Sequence, residues 1–110
     1  MKKMISSNLI PAVIVIKPVS TAKADIETAC RQTAQLTTVC VPKNIFIEDI
    51  IITFGGVKDI TKRVKSLTEH KDIQVLLVYN AKQIASSEKE YMEFIADMCD
   101  FYKLKVINYR

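Results

Sequence analysis

Four polar residues lie next to apolar segments of the sequence, where their side chains could act on a phosphate group. They are Ser20, Asp49, Lys58 and Lys82. A serine hydroxyl can act as a nucleophile, an aspartate can accept or hold a proton, and an ammonium group can stabilise a developing negative charge. The simpler alternatives are that Ser20 caps the helix after it, that Asp49 is a turn or surface acid, and that Lys58 belongs to a solvated helix face.

The other reactive side chains form no pattern typical of a metal centre or a thiol nucleophile. The chain has one histidine, His70, and three cysteines (Cys30, Cys40 and Cys99) without a Cys-x-x-Cys spacing. Its only two glycines are adjacent, which excludes both the dinucleotide fingerprint and the phosphate-binding P-loop. We therefore predict reduced thiols in a cytoplasmic protein, with no metal and no cofactor.

Four short apolar runs, separated by three helix-like stretches, must position these residues. The runs cover residues 11–16, 44–48, 73–79 and 104–107, and the first is continuous and β-branched. Such a run is typical of a strand covered on both faces, as in a parallel sheet. The fourth run alternates with charge, which favours an edge strand.

The alternation of strands and helices predicts an α/β fold. We expect a three-layer domain with a mostly parallel sheet of four to five strands and helices on both faces. Residues 1–10 are predicted to be a lead-in, and residues 11–110 a single domain. Ligand sites in such folds lie beyond the carboxyl ends of the strands, here at residues 17–21, 49–56 and 80–86.

Two of the predicted helices are amphipathic. In one, Val57, Ile60, Val64 and Leu67 alternate with an opposite face of Lys58, Lys62 and Lys65. The last helix opens with Ser87 and Glu90, which have the spacing of a capping box. Its apolar stripe consists of Tyr91, Phe94, Ile95, Met98 and Phe101, of which the aromatic residues and Met98 are predicted to lie in the core. Residues 50–52, three isoleucines before Gly55-Gly56, are predicted to form a mobile loop or a contact surface.

The charge is unevenly distributed. The formal net charge is +4, but residues 86–102 hold five acids and one base, so the rest of the chain carries +8. That surplus favours an anionic partner such as nucleic acid, although scattered surface lysines give the same sum. No apolar run approaches the roughly 20 residues of a membrane-spanning helix, so we expect no membrane partner.

Three segments resemble the N-terminal catalytic domain of the serine site-specific recombinases, the resolvase and invertase family. The first is Val19-Ser20-Thr21, where the family has Tyr-x-Arg-Val-Ser after its first strand. The second is residues 46–49, similar to the family's Phe-x-Asp-Asp stretch. The third, residues 72–91, follows the pattern of a strand, Leu-Asp-Arg-Leu-Ser-Arg and a helix. By pattern, the resemblance covers about residues 12–109.

The resemblance implies roles for the four candidate residues, but the sequence departs from the family at the arginines. Ser20 stands at the nucleophile, Asp49 at an acid, and Lys58 where an Arg follows the flexible loop. Pro18 and Ile16 replace the Arg and Tyr before the nucleophile, Lys82-Gln83 replaces Asp-Arg, and Ser86 replaces a later Arg. Since guanidinium groups stabilise the phosphoryl charge in this family, we expect catalysis to be impaired.

Two functions are compatible with these observations. One is a catalytically impaired, resolvase-like domain of a DNA recombination protein, with an association or DNA-proximal role. Its partners would be DNA and recombinase-like subunits, in a homo- or hetero-oligomer. The resemblance implies a dimerisation helix and a DNA-binding region after the last strand, so the chain is either an excised domain or a remnant. The alternative is a flavodoxin-like or receiver-like module that binds a small anion or a protein.

Overall fold

The computed structural model describes residues 9–109, in which strands and helices alternate. The strands are β1 (Ile10–Ile16), β2 (Ile45–Ile52), β3 (Val75–Val78) and β4 (Lys105–Asn108). The helices are α1 (Lys23–Cys40), α2 (Val57–Thr68), the single-turn α3 (Ala81–Ile84) and α4 (Glu88–Tyr102), and a short 3-10 turn, Val41–Lys43, follows α1. The predicted lead-in lies mostly in residues 1–8, outside the described residues, so the domain boundary stays a prediction.

The four strands form one parallel sheet in the order β2-β1-β3-β4. The two central strands are buried along almost their whole length, which explains why their sequences lack polar alternation. The predicted α/β class is confirmed, and β4 lies at an edge as expected.

Helices cover both faces of the sheet, as predicted. On one face, α1 packs Ala29, Leu36 and Cys40 against Ala12 and Ile14 of β1. On the other face, α2 and α4 pack against the alternate residues of β1 and β3. That second core includes Ile60, Val64, Phe94, Met98, Val13, Val15, Leu76 and Val78. Burial of the Cys40 side chain raises the pKa of its thiol.

The prediction of a loop at residues 50–52 is wrong, because β2 continues to Ile52. Ile50, Ile51 and Ile52 pair with Ile14, Val15 and Ile16 in β1. The register shifts between Ala12 and Val13, which pair with Ile47 and Asp49, so Glu48 is an extra residue in a β-bulge. Three β-branched side chains favour continued pairing beside β1, and the bulge turns Ile51 to the core face.

The prediction that Phe101 lies in the core is also wrong. The Phe101 side chain is 73% exposed, whereas Phe94 and Met98 are buried. The inward position after Met98 is four residues later, at Tyr102, which packs against the core. Phe101 is one residue short of that position and therefore lies on the flank of the helix.

Within residues 9–109, no helix combines the length and the apolar character needed to cross a bilayer.

Candidate functional site

The carboxyl ends of β1, β2 and β3 meet at one edge of the sheet, and an open pocket of about 470 Å³ lies there. This strand-end pocket is lined by Lys17, Pro18, Val19, Phe54, Asn80, Lys82 and Gln83. Its location agrees with the general rule for open parallel sheets. It contains two cations, two amides and one aromatic ring, and its lining includes no carboxylate.

Lys82 is placed in the strand-end pocket by the short helix that follows β3. The Asn80 side-chain oxygen accepts a hydrogen bond from the Lys82 backbone N–H at 2.9 Å, which caps this single turn. Lys82 is exposed, and Lys17, directly after β1, is half-buried. The structure thus brings two ammonium groups to one pocket from segments 65 positions apart in the sequence.

Lys58 lies near the same edge, at the second position of α2. Hydrogen bonds from the Ser86 N–H and hydroxyl are the main cause that lowers the pKa of the Glu90 carboxyl, and the charges of Lys58 and Lys17 add to the effect. Lys17, Lys58 and Lys82 therefore form a group of cations at the strand ends. Glu90 partly balances this group.

Ser20 does not line the strand-end pocket, because its hydroxyl belongs to the turn before α1. The Ser20 hydroxyl donates to the Asp25 carboxylate at 2.6 Å and accepts from the Ala22 N–H at 3.0 Å. Ser20 thus forms a serine turn with Ala22, the residue just before α1. The capping alternative is therefore right about the location of Ser20, but the hydroxyl binds the N–H before the helix and not one within its first turn. Asp25 is the polar partner that sequence reasoning missed.

Asp49 does not line the strand-end pocket either. It lies inside β2, opposite Val13, and its carboxylate accepts from the Ile50 N–H at 2.8 Å and from Lys71 Nζ at 3.1 Å. These two hydrogen bonds, with that from the Ile50 N–H the larger cause, lower the pKa of Asp49. Asp49 therefore makes a surface ion pair with Lys71, and its catalytic role stays a prediction.

A hydrogen-bonded turn after β2 positions Phe54 at the strand-end pocket. The buried Thr53 hydroxyl donates to Asp59 and accepts from the Gly55 N–H at 2.9 Å. Asp59 also pairs with Arg63, whose guanidinium reaches the Ile52 carbonyl at 3.4 Å. A Cβ atom at Gly55 would lie 2.7 Å from the Asp59 Cβ, so this close approach requires glycine.

The carboxylate of Asp59 is the electrostatic centre of that turn. The Thr53 hydroxyl is the largest cause that lowers its pKa, and Arg63 adds to the effect. Arg63 is therefore held by Asp59 and by the end of β2, and it does not line the strand-end pocket.

Gln83 connects the strand-end pocket to α1. Its side-chain N–H donates to the Gln32 side-chain oxygen at 3.0 Å. Its own amide oxygen is buried and has no hydrogen-bond partner among the described residues. An unpaired buried acceptor is costly to stability, and because solvent does not reach this oxygen it does not face the open pocket.

A larger cavity of about 750 Å³ lies on the other side of Lys82. Besides Lys82, it is lined by Ala81, Ala85, Ser86, Ser87, Glu88, Tyr91 and Met92. The Tyr91 hydroxyl is buried without a hydrogen-bond partner among residues 9–109, and burial raises its pKa. With only Lys82 as a cation, this cavity is less suited to an anion than the strand-end pocket.

Comparison with known proteins gives an informative structural similarity. No protein-family model and no curated protein matches the chain. The structure is similar to that of the C-terminal catalytic domain of ISC1926 TnpA, an IS607-like serine recombinase, with a TM-score of 0.68 and 21% identity. The match covers 92% of this chain and 70% of that one. The chain has the fold of a serine recombinase catalytic domain.

The match does not extend to every detail of the predicted resemblance. The related catalytic domain is C-terminal in its own protein, so the expectation of an N-terminal domain is not supported. At 21% identity the similarity establishes the fold, and the roles of Ser20, Asp49, Lys58 and Lys82 stay predictions.

Proposed function

We propose that this chain is a serine recombinase-like domain that does not cleave DNA and has a DNA-proximal or association role in recombination. The observation that carries the proposal is that the strand-end pocket has only lysines as cations, Lys17 and Lys82, and that no arginine of the described residues lines it. Among residues 9–109 the arginines are Arg31, which contacts Thr28 within α1, and Arg63, which pairs with Asp59. Neither lines the strand-end pocket.

The chemistry explains why this replacement matters. Attack of a serine oxygen on a phosphodiester adds negative charge to a phosphorus centre that is already anionic. Arginine presents a planar fork that matches two phosphate oxygens, whereas lysine supplies a point charge. Loss of one such donor lowers the rate by roughly 10²–10³. Several losses in one constellation leave little cleavage, even though their effects are not additive.

The position of Ser20 supports the same conclusion. Its proton is directed to Asp25, and its lone pair accepts from the Ala22 N–H. These contacts stabilise the start of α1, so an attacking Ser20 would have to break them. Neither Ser20 nor Asp25 lines the pocket that contains Lys17 and Lys82.

The DNA-proximal role relies on the cations at the strand ends. Lys58, Lys62 and Lys65 are exposed along α2, and Lys17 and Lys82 lie at the adjoining edge. On the same side of the sheet, α4 exposes Glu93, Asp97 and Asp100, which would repel a phosphate backbone. DNA is therefore expected to approach the strand-end edge.

A cleavage assay tests the proposal. Supercoiled plasmid is incubated with the protein and denatured, and the products are examined for nicked DNA bound covalently to protein. We expect no adduct, and any background nicking should be the same for the wild type and Ser20→Ala. An adduct formed by the wild type and absent from Ser20→Ala would show that Ser20 is an active nucleophile, and the proposal would be wrong.

A protein-interaction module is the second candidate function, and the open edge of the sheet favours it. β2 is an edge strand, and Phe46, Ile50 and Ile52 expose apolar surface along it. Such an edge can pair with another chain, including a second copy or a recombinase-like subunit. Light scattering of the wild type and Ile52→Lys tests this function, since a charged side chain at the edge should convert an oligomer to a monomer. A wild-type monomer would argue against self-association.

A further inference from the structure

We infer that the strand-end pocket binds one unpaired nucleotide, with the phosphate at Lys17 and Lys82 and the base against Phe54. The ligand chemistry is a nucleoside phosphate, supplied either by single-stranded DNA or by a free mononucleotide. If the nucleotide belongs to single-stranded DNA, the inference rests on the proposed DNA-proximal role. It does not depend on whether Ser20 cleaves DNA.

The phosphate end of the pocket is defined by Lys17 and Lys82. Both ammonium groups belong to residues that line the cavity, and the lining contains no acid to compete for them. Lys58 adds positive charge nearby, while Glu90 is occupied by the Ser86 N–H at 2.7 Å and by the Ser86 hydroxyl at 3.1 Å. Two lysines at one concave site favour a phosphate group, because they attract it without requiring a fixed orientation.

The base end is defined by Phe54. Its ring is 51% exposed, although it follows a strand of the core, and the neighbouring Val19 is 89% exposed. The turn that carries Phe54 is held by the Thr53–Asp59 contact and by the tight approach at Gly55. A rigidly supported, exposed aromatic ring beside cations is the arrangement with which proteins stack unpaired bases.

The dimensions of the pocket favour a single nucleotide. Its volume of about 470 Å³ falls within the usual range of small-ligand sites, roughly 300–1,000 Å³. A base within a duplex is stacked on its neighbours and cannot also cover Phe54, so the ligand must be unpaired.

Fluorescence anisotropy with labelled oligonucleotides of about eight nucleotides tests the inference. The probes are oligo(dC), oligo(dT) and a blunt duplex of the same length, with dCMP and inorganic phosphate as competitors. We expect oligo(dC) and oligo(dT) to bind more tightly than the duplex, and dCMP to compete better than phosphate. Phe54→Ala should weaken binding of oligo(dC) roughly tenfold, while Phe54→Tyr retains it.

Phe101→Ala is the matched control, since it removes another exposed ring at a distance from the pocket, and it should bind like the wild type. Circular dichroism verifies that each variant is folded. If only mononucleotides bind, the pocket is confirmed for the free ligand and the DNA-proximal role fails. Three results would contradict the nucleotide site: equally tight binding of the duplex and oligo(dC), equal competition by phosphate and dCMP, or no effect of Phe54→Ala. None of these results would contradict the DNA-proximal role.

Discussion

The Ser20 hydroxyl has two hydrogen-bond partners, and both belong to the first turn of α1 and the residues before it. The same residue type at the same place after a strand can be a nucleophile or a turn former. The difference depends on which atoms surround the oxygen. Here an N–H and a carboxylate surround it, and the lysines line a separate pocket.

We predict that Ser20→Ala lowers the free energy of unfolding by about 1 kcal/mol, as for other losses of a helix-start hydroxyl. The physical reason is that the Ala22 N–H and the Asp25 carboxylate both lose a partner. Urea unfolding measures the change. Thr21→Ala, an exposed neighbour, should change stability by less than about 0.5 kcal/mol. Equal effects of the two substitutions would contradict a structural role for the Ser20 hydroxyl.

Asp59 provides a prediction of pH dependence. Its pKa is lowered in the folded state, chiefly by the Thr53 hydroxyl. Its stabilising contribution is therefore complete above the unfolded-state pKa of about 4 and is lost as the pH falls through the lower, folded-state pKa. Asp59→Asn should be less stable than the wild type at pH 7, and the difference should shrink progressively below about pH 4.

Urea unfolding from pH 7 to pH 2 tests this dependence. Thr53→Val removes the largest cause of the pKa shift. In that background, the effect of Asp59→Asn on the free energy of unfolding should therefore depend much less on pH. A stability difference that stays constant with pH in the wild-type background would show that Asp59 acts through packing alone.

At the scale of single elements, α4 shows how a stripe of apolar residues divides between core and surface. Phe94 is 1% exposed and Phe101 is 73% exposed, although both belong to the predicted stripe. We predict that Phe94→Ala lowers the free energy of unfolding by about 3–5 kcal/mol, because it leaves a cavity among buried residues. Phe101→Ala should change it by less than about 0.5 kcal/mol.

Urea unfolding of both variants provides the measurement, and each is the control for the other. A loss of several kcal/mol for Phe101→Ala would mean that another part of the protein covers its ring.

The start of α4 illustrates a motif that forms only in part. The Ser87 hydroxyl accepts from the Glu90 N–H at 3.1 Å, as the Ser-x-x-Glu spacing predicts. The Glu90 carboxylate instead accepts from the N–H and hydroxyl of Ser86, one residue earlier than a capping box requires. Lys17 and Lys58 lie near that carboxylate, so residues distant in sequence contribute to its environment.

At the scale of the whole molecule, the cations at the strand ends make binding to nucleic acid dependent on salt. We predict that changing Lys17, Lys58 and Lys82 together to Gln weakens the binding of duplex DNA at about 50 mM salt. If each lysine neutralises one phosphate, the slope of log affinity against log salt should become less steep by up to about three. Anisotropy titrations at several salt concentrations measure both quantities.

The matched control changes Lys43, Lys103 and Lys105 to Gln, which removes the same charge from exposed positions at the amino ends of β2 and β4. This control variant should retain most of the affinity and of the salt slope. Equal losses in the two triple variants would mean that net charge alone, with no localised site, governs binding.

Much of the fold could be predicted from local patterns. The continuous β-branched run of β1 indicated a strand buried on both faces, and the three- and four-residue spacing in α2 indicated its inward stripe. The extension of β2 through Ile52 could not be predicted in this way, because Gly55-Gly56 nearby favoured a loop. That extension depends on pairing with β1, which is a contact between distant segments.

The sequence by itself determined the α/β class, the order of the elements and the charge imbalance, because each depends on residue identity or on short-range periodicity. Only the tertiary structure decided that Lys17, Phe54 and Lys82 share a pocket and that Ser20 and Asp49 do not line it. The physical reason is that parallel strands bring their carboxyl ends together through long crossovers. Which side chains converge there depends on register and on hydrogen-bonded turns that local patterns do not encode.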